Sequence, residues 1–108
     1  MTQTTPDTTA PVMEIVSFRL NPGVEAEDFR NAASAVDSLL RARGTASARR
    51  LVVDDDGLWT DIIEWASMAE AKSAAEDLVQ DPLFAPFGAM IDPSTVNLRH
   101  APVQHRME

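Results

Sequence analysis

The chain has 108 residues, of which 44% are hydrophobic, a formal net charge of −8 and no cysteine. That length carries one domain with one core, and the missing cysteines exclude disulfides, thiolate catalysis and cysteine-held metals. The acidic surface repels phosphates and anionic lipid, so nucleic acid and membrane are poor partners, and solubility is the plain reading of the charge.

No apolar run approaches the ~20 residues that span a bilayer. The opening segment, MTQTTPDTTAP, has neither the basic nor the apolar region of a secretory signal. With no cysteine either, a cytoplasmic location is the expectation. Residues 1–11 are rich in threonine and proline and have little to bury, so they are expected to form a disordered tail. The domain is expected over residues 12–103, with residues 104–108 as a C-terminal tail.

The first predicted element is a strand, VMEIVSFRL, from Val12 to Leu20. Val12, Val16, Phe18 and Leu20 share one face, and Met13 and Ile15 lie on the other. Apolar residues on both faces imply that both are covered. One layer of helices covers only one of them, so a partner subunit is expected over the second.

Asn21-Pro22-Gly23 ends that strand. A helix is predicted from about Glu25 to Arg43, where Phe29, Ala32, Ala33, Val36, Leu39 and Leu40 make one apolar stripe. Acidic residues open it, Arg41 and Arg43 close it, and Gly44 is placed to stop it. ASARRLVVD, from Ala46 to Asp54, predicts a second strand, and Asp56-Gly57 a tight hairpin turn. LWTDIIEWA, from Leu58 to Ala66, predicts a third strand, with Trp59, Asp61, Ile63 and Trp65 pointing one way.

Ser67 with Glu70 fits a capping box ahead of an alanine-rich helix from about Met68 to Gln80. Its inner stripe is Ala71, Ala74, Ala75 and Leu78, with Val79 alongside. Pro82 forbids further regular helix, so DPLFAPFG is expected as an irregular turn carrying Leu83, Phe84 and Phe87 inward. STVNLRHAPV supplies the last strand. The order strand, helix, strand, strand, helix, strand predicts an α+β, ferredoxin-like, four-stranded antiparallel sheet with two helices on one face.

Three stretches, EIVSFRLNPGVEAEDF, DDDGLWTDIIEWASMAEAKSAA and IDPSTVNLRHAPV, resemble the dimeric α+β barrel superfamily, and within it the antibiotic-biosynthesis-monooxygenase-like proteins. The resemblance spans about Val12 to Val103, and its most recognisable part is Trp65, Ser67, Glu70 and Ala71. It implies a homodimer with sheets packed face to face and a cavity between sheet and helices that takes flat aromatic molecules. Family enzymes include cofactor-free monooxygenases of polyketide phenols, quinol monooxygenases and haem degraders. Trp65 matches the tryptophan of their third strand. Asp61 lies near where the polyketide enzymes place an asparagine. The haem degraders carry a histidine where this chain has Ala85-Pro86-Phe87, and the family's phenol-binding tyrosines have no counterpart, because the chain has no tyrosine.

The candidate catalytic residues are Asp61 and His100. Asp61 is a candidate general base for a phenol or hydroquinone; the competing reading is a salt bridge to Arg19, Arg49, Arg50 or Arg99. His100 is a candidate proton shuttle, since histidine ordinarily titrates near neutrality; an edge or interface hydrogen bond is its alternative. Trp59, Trp65, Phe84, Phe87 and Arg19 are the candidate substrate-binding residues, with core packing the alternative for the aromatics. Glu14 and Glu64 are strand carboxylates whose facing stays open. Arg49-Arg50 is either a grip for a carboxylate-bearing ligand or an ordinary strand-edge charge. No phosphate loop, nucleotide fingerprint, serine elbow or zinc motif appears, so neither cofactor nor metal is expected. Two functional readings remain: a cofactor-free monooxygenase acting on an aromatic or phenolic small molecule, and a non-catalytic small-molecule-binding or dimerisation protein.

Overall fold

A computed structural model describes residues 10–107. The elements in chain order are β1 (Val12–Phe18), α1 (Ala26–Arg43), β2 (Ala46–Val53), β3 (Trp59–Trp65), α2 (Met68–Leu78), α3 (Ala85–Ala89), a 3-10 turn (Pro93–Thr95) and β4 (Asn97–Pro102). The strands form one sheet in the order β2-β3-β1-β4, with every neighbouring pair antiparallel. This is the ferredoxin-like plan that the alternation of elements predicts.

Local chemistry accounts for the boundaries. Gly44 stops α1 at φ 77 and returns its N–H to the carbonyl of Leu40, a conformation that carries little strain without a Cβ. Asp54 organises the β2–β3 turn: its carboxylate accepts the N–H groups of Asp56 and Leu58, and Gly57 turns the chain at φ 81. Ser67 caps α2 by accepting the N–H of Glu70 at 3.2 Å.

Period-two alternation puts Val12, Glu14, Val16 and Phe18 of β1 and Trp59, Asp61, Ile63 and Trp65 of β3 on the helix side. Phe29, Ala33, Val36 and Leu40 of α1 close over them, together with Ala71 and Ala74 of α2. The opposite face, with Met13, Ile15, Thr60 and Ile62, is only half covered.

Several expectations need correction. The first strand ends at Phe18, and Leu20 makes an isolated bridge to Ile91. The segment after α2 is not wholly irregular: Asp81 accepts the N–H of Leu83, and a short helix then starts at Ala85. Pro86 fits there because the first turn of a helix needs no N–H from it. Leu83 points outward at 50% exposure, while Phe84 and Phe87 point inward. Residues 93–95 form the 3-10 turn, capped by Asp92, so the last strand begins only at Asn97. Arg106 folds back onto Glu64 in an ion pair on the open face, and His105 is exposed. The expected disordered tail lies, for residues 1–9, outside the described residues.

Candidate functional site

A cavity of about 310 Å³ lies between the sheet and the helices. Val16 and Ile63 form part of its floor, with Val36 and Leu40 of α1 and Leu78 of α2 above. Phe84, Phe87 and Gly88 of the α3 region form one wall, and Val96 and Leu98 its rim. Ala75 of α2 is also in the wall. A larger side chain there would reach into the space, so the alanine-rich helix does leave room over the sheet.

Among the described residues, three ionisable ones line this cavity: Glu14, Arg49 and Asp61. Strand register brings them together. Across the sheet, Arg49, Ile63, Glu14 and His100 form one transverse row, and Leu51, Asp61, Val16 and Leu98 form the next. Asp61 is therefore a diagonal neighbour of both Arg49 and Glu14, and His100 stands directly opposite Glu14.

Arg49 holds Asp61 in a two-pronged ion pair, Nε to Oδ1 at 3.0 Å and Nη2 to Oδ2 at 2.7 Å. Its Nη1 donates to the Ala33 carbonyl at 2.7 Å and to Asp37 Oδ1 at 2.9 Å. The guanidinium carbon lies 5.5 Å from the centre of the Phe87 ring. Burial works against the charge on Arg49, but Asp61 and Asp37 outweigh it and push its pKa up. The group is a fixed cation with all three nitrogens engaged. Of the four arginines that could have met Asp61, the structure selects Arg49.

Glu14 is 8% exposed. Its Oε1 lies 3.1 Å from His100 Nε2; when Glu14 is ionised it can only accept, and the imidazole nitrogen then donates. Among the described residues no donor reaches Oε2. Burial pushes the Glu14 pKa up; the hydrogen bond and charge of His100 pull it back in part, and the charge of Asp61 adds to the rise.

The remaining candidates are dispersed. Trp59 packs edge-on against Phe29 with ring centres 4.9 Å apart, and borders a separate open groove between α1 and β2 rather than the cavity. Trp65 is 1% exposed and is not among the lining residues; its indole N–H has no partner among the described residues. Arg19 is exposed and donates to the Asp56 carbonyl in the hairpin turn, at 2.7 Å. Phe84 and Phe87 do line the cavity, and their rings meet edge to face at 5.5 Å. His100 lies behind Glu14 rather than in the wall. The structure settles the facing of Glu14, which the sequence leaves open: it falls with Val12, Val16 and Phe18 on the helix side of β1. Arg49 could not be told from a strand-edge charge without its register against Asp61. Among the described residues no cluster of three His, Asp or Glu side chains could hold a metal ion, and no helix is long and apolar enough to cross a membrane.

No family model and no curated protein matches the chain. Solved structures do. A candidate antibiotic biosynthesis monooxygenase from Caulobacter crescentus aligns with a TM-score of 0.68 at 12% identity, over 91% of this chain and 93% of that one. The chain has the fold of the antibiotic-biosynthesis-monooxygenase-like dimeric α+β barrel proteins. A second candidate monooxygenase of that kind, from Bordetella bronchiseptica, aligns with a TM-score of 0.68 at 17% identity, over 89% and 99% of the two chains. SnoaB, a cofactor-independent oxygenase from Streptomyces nogalater, aligns with a TM-score of 0.61 at 13% identity, over 92% and 96%. This monooxygenase-like fold is shared at identities that speak for architecture alone.

Proposed function

We propose that this chain binds a flat aromatic small molecule of about two fused rings in the cavity and oxidises it with molecular oxygen, without a cofactor. The observation that carries this reading is the cavity itself: an apolar space of about 310 Å³ whose polar groups converge on its floor. Ligand sites have that character, and this volume is at the small end of their range. Phe84 and Phe87 would pack on the ring. The proton-accepting group would come from the floor, where Asp61 and the Glu14–His100 pair are the candidates. Deprotonation turns a phenol or hydroquinone into an electron-rich anion that reduces oxygen directly. One oxygen atom enters the product, the other leaves as water, and the substrate is the only reductant. The monooxygenase-like fold, shared with a cofactor-independent oxygenase, supports the same reaction class.

The chain is proposed to act as a homodimer joined through the open face of the sheet, where Met13, Ile15 and Ile62 are half exposed. Sedimentation analysis should give a dimer, and Ile62→Lys should shift it to monomer; a wild-type monomer at working concentration rejects this part.

A second reading, ligand binding without catalysis, is favoured by the ion pair that occupies both oxygens of Asp61. Thermal shift with 2-naphthol and oxygen consumption with 1,4-naphthohydroquinone, corrected for autoxidation, separate the two. Binding raises native stability by RT ln(1 + [L]/Kd). A dose-dependent shift that falls in Phe84→Ala, together with oxygen uptake above background, is the expected result. A shift without uptake selects the second reading, and no shift removes both.

A further inference from the structure

The two carboxylates on the cavity floor are not equivalent. Asp61 accepts from Arg49 through Oδ1 and Oδ2, so to take a proton it must give up part of that ion pair. Glu14 uses only Oε1, toward His100. Its other oxygen has no partner among the described residues, although the side chain is buried and lines the cavity. That oxygen is not sealed in protein, since it is not among the buried side-chain atoms left without a partner, so it stays accessible to a hydroxyl donor in the cavity that Glu14 lines. The groups facing Glu14 are His100 from β4, Asp61 from β3 and, one step further, Arg49 from β2. The side chains of α1 and α2 above it in the cavity, Val36, Leu40, Ala75 and Leu78, are apolar. Among the described residues that line the cavity, Arg49 is the one basic side chain, and it is engaged by Asp61 and Asp37.

We propose that Glu14, rather than Asp61, is the catalytic carboxylate: its free Oε2 accepts the hydroxyl hydrogen of the aromatic ligand and then takes that proton, while His100 holds Oε1 from behind. This rests on the reading of the cavity given under Proposed function. In the step, the ligand O–H bond breaks, its electron pair stays on the ligand oxygen, and a new O–H bond forms on Oε2. Burial raises the proton affinity of Glu14 and so helps it retain the proton. His100 is a positioning residue. Its Nε2–H fixes the rotamer that presents Oε2 and limits the cost of the charged carboxylate before the transfer. Arg49, fixed beside Asp61, offsets the second negative charge on the floor. The proposal also names what the cavity selects: a neutral aromatic hydroxyl donor, and not a carboxylate-bearing ligand, which would meet Glu14 and Asp61 together.

The test compares 2-naphthol with 2-methoxynaphthalene, the same ring without the donor, by calorimetric titration. Wild type should prefer 2-naphthol by about ten-fold or more, as expected for a hydrogen bond to a charged acceptor. Glu14→Leu should still bind 2-methoxynaphthalene but lose the preference. His100→Leu should weaken the preference, and His100→Gln, which keeps an N–H donor, should restore much of it. In oxygen consumption with 1,4-naphthohydroquinone, Glu14→Gln should lower kcat about 100-fold or more with little change in KM. Equal wild-type affinity for the two naphthalenes, or a preference that survives Glu14→Leu, overturns the assignment. So does a Glu14→Gln enzyme that folds cooperatively and turns over like wild type. Failure of wild type to bind either naphthalene instead rejects the cavity reading beneath it.

Discussion

On the β2–β3 side of the cavity floor, Asp61 meets a guanidinium on both of its oxygens, and that guanidinium is itself tied to α1 through the Ala33 carbonyl and Asp37. On the β1–β4 side, Glu14 meets one imidazole nitrogen on one oxygen. Both carboxylates are buried. The first is built into the fold, with every lone group matched. The second leaves one oxygen without a donor among the described residues, on a side chain that lines the cavity. Within one sheet, adjacent diagonal positions thus separate a structural charge from a chemically available one, and the partner makes the difference rather than the residue type.

The largest expected effect comes from breaking the matched side. Arg49→Met leaves Asp61 unpaired and should destabilise the fold by about 3–5 kcal/mol, measured by urea unfolding. Adding Asp61→Leu to that variant should recover most of the loss, because an apolar pair of similar volume often replaces a buried ion pair at little cost. A double variant as unstable as the single one would mean that Arg49 acts mainly through α1.

A smaller effect is expected on the open side, with the opposite sign. The folded pKa of Glu14 is raised, so the fold favours its neutral form. Its contribution to stability is present below the ordinary carboxylate range and is lost as pH rises through the raised value. Glu14→Gln should therefore be more stable than wild type at neutral pH, by on the order of 1 kcal/mol. The gap should close as pH falls to the ordinary carboxylate range. Parallel thermal-melting profiles across that window would show that Glu14 does not titrate differently in the folded state.

The smallest effect is a control remote from both sides. Ser67→Ala removes the cap of α2 and should cost about 1 kcal/mol in thermal or chemical unfolding. It should leave the preference between 2-naphthol and 2-methoxynaphthalene as in wild type. A changed preference would tie the width of the cavity to the seating of α2.

Much of the architecture was legible because its signals are local. The apolar stripe of α1, the Gly44 stop, the Ser67 cap and the turn at Asp56-Gly57 each depend on residues close in sequence. The misreadings fall where local rules compete. Pro82 and Pro86 together suggest an irregular turn, yet a proline in the first turn is compatible with the short helix at Ala85–Ala89. Hydrophobicity alone points Leu83 inward, but Asp81 accepts its N–H in a turn that leaves it exposed. The site was less legible. Trp59 and Trp65 do share a strand face with Asp61, but sharing a face does not put a side chain in the cavity wall.

The sequence by itself determined the order of elements, most of their caps and turns, and the strand face that Asp61 shares with Trp59 and Trp65, because caps, turns and two-residue alternation act over a few positions. Tertiary structure alone decided which charge each carboxylate meets and where the empty space lies. Glu14 and His100 are 86 residues apart in the chain, and only strand register makes them neighbours. The cavity exists because Ala75, Val36 and Leu40, from two different helices, stop short of the sheet at the same place. Such a gap is a property of packed volumes and not of any one segment.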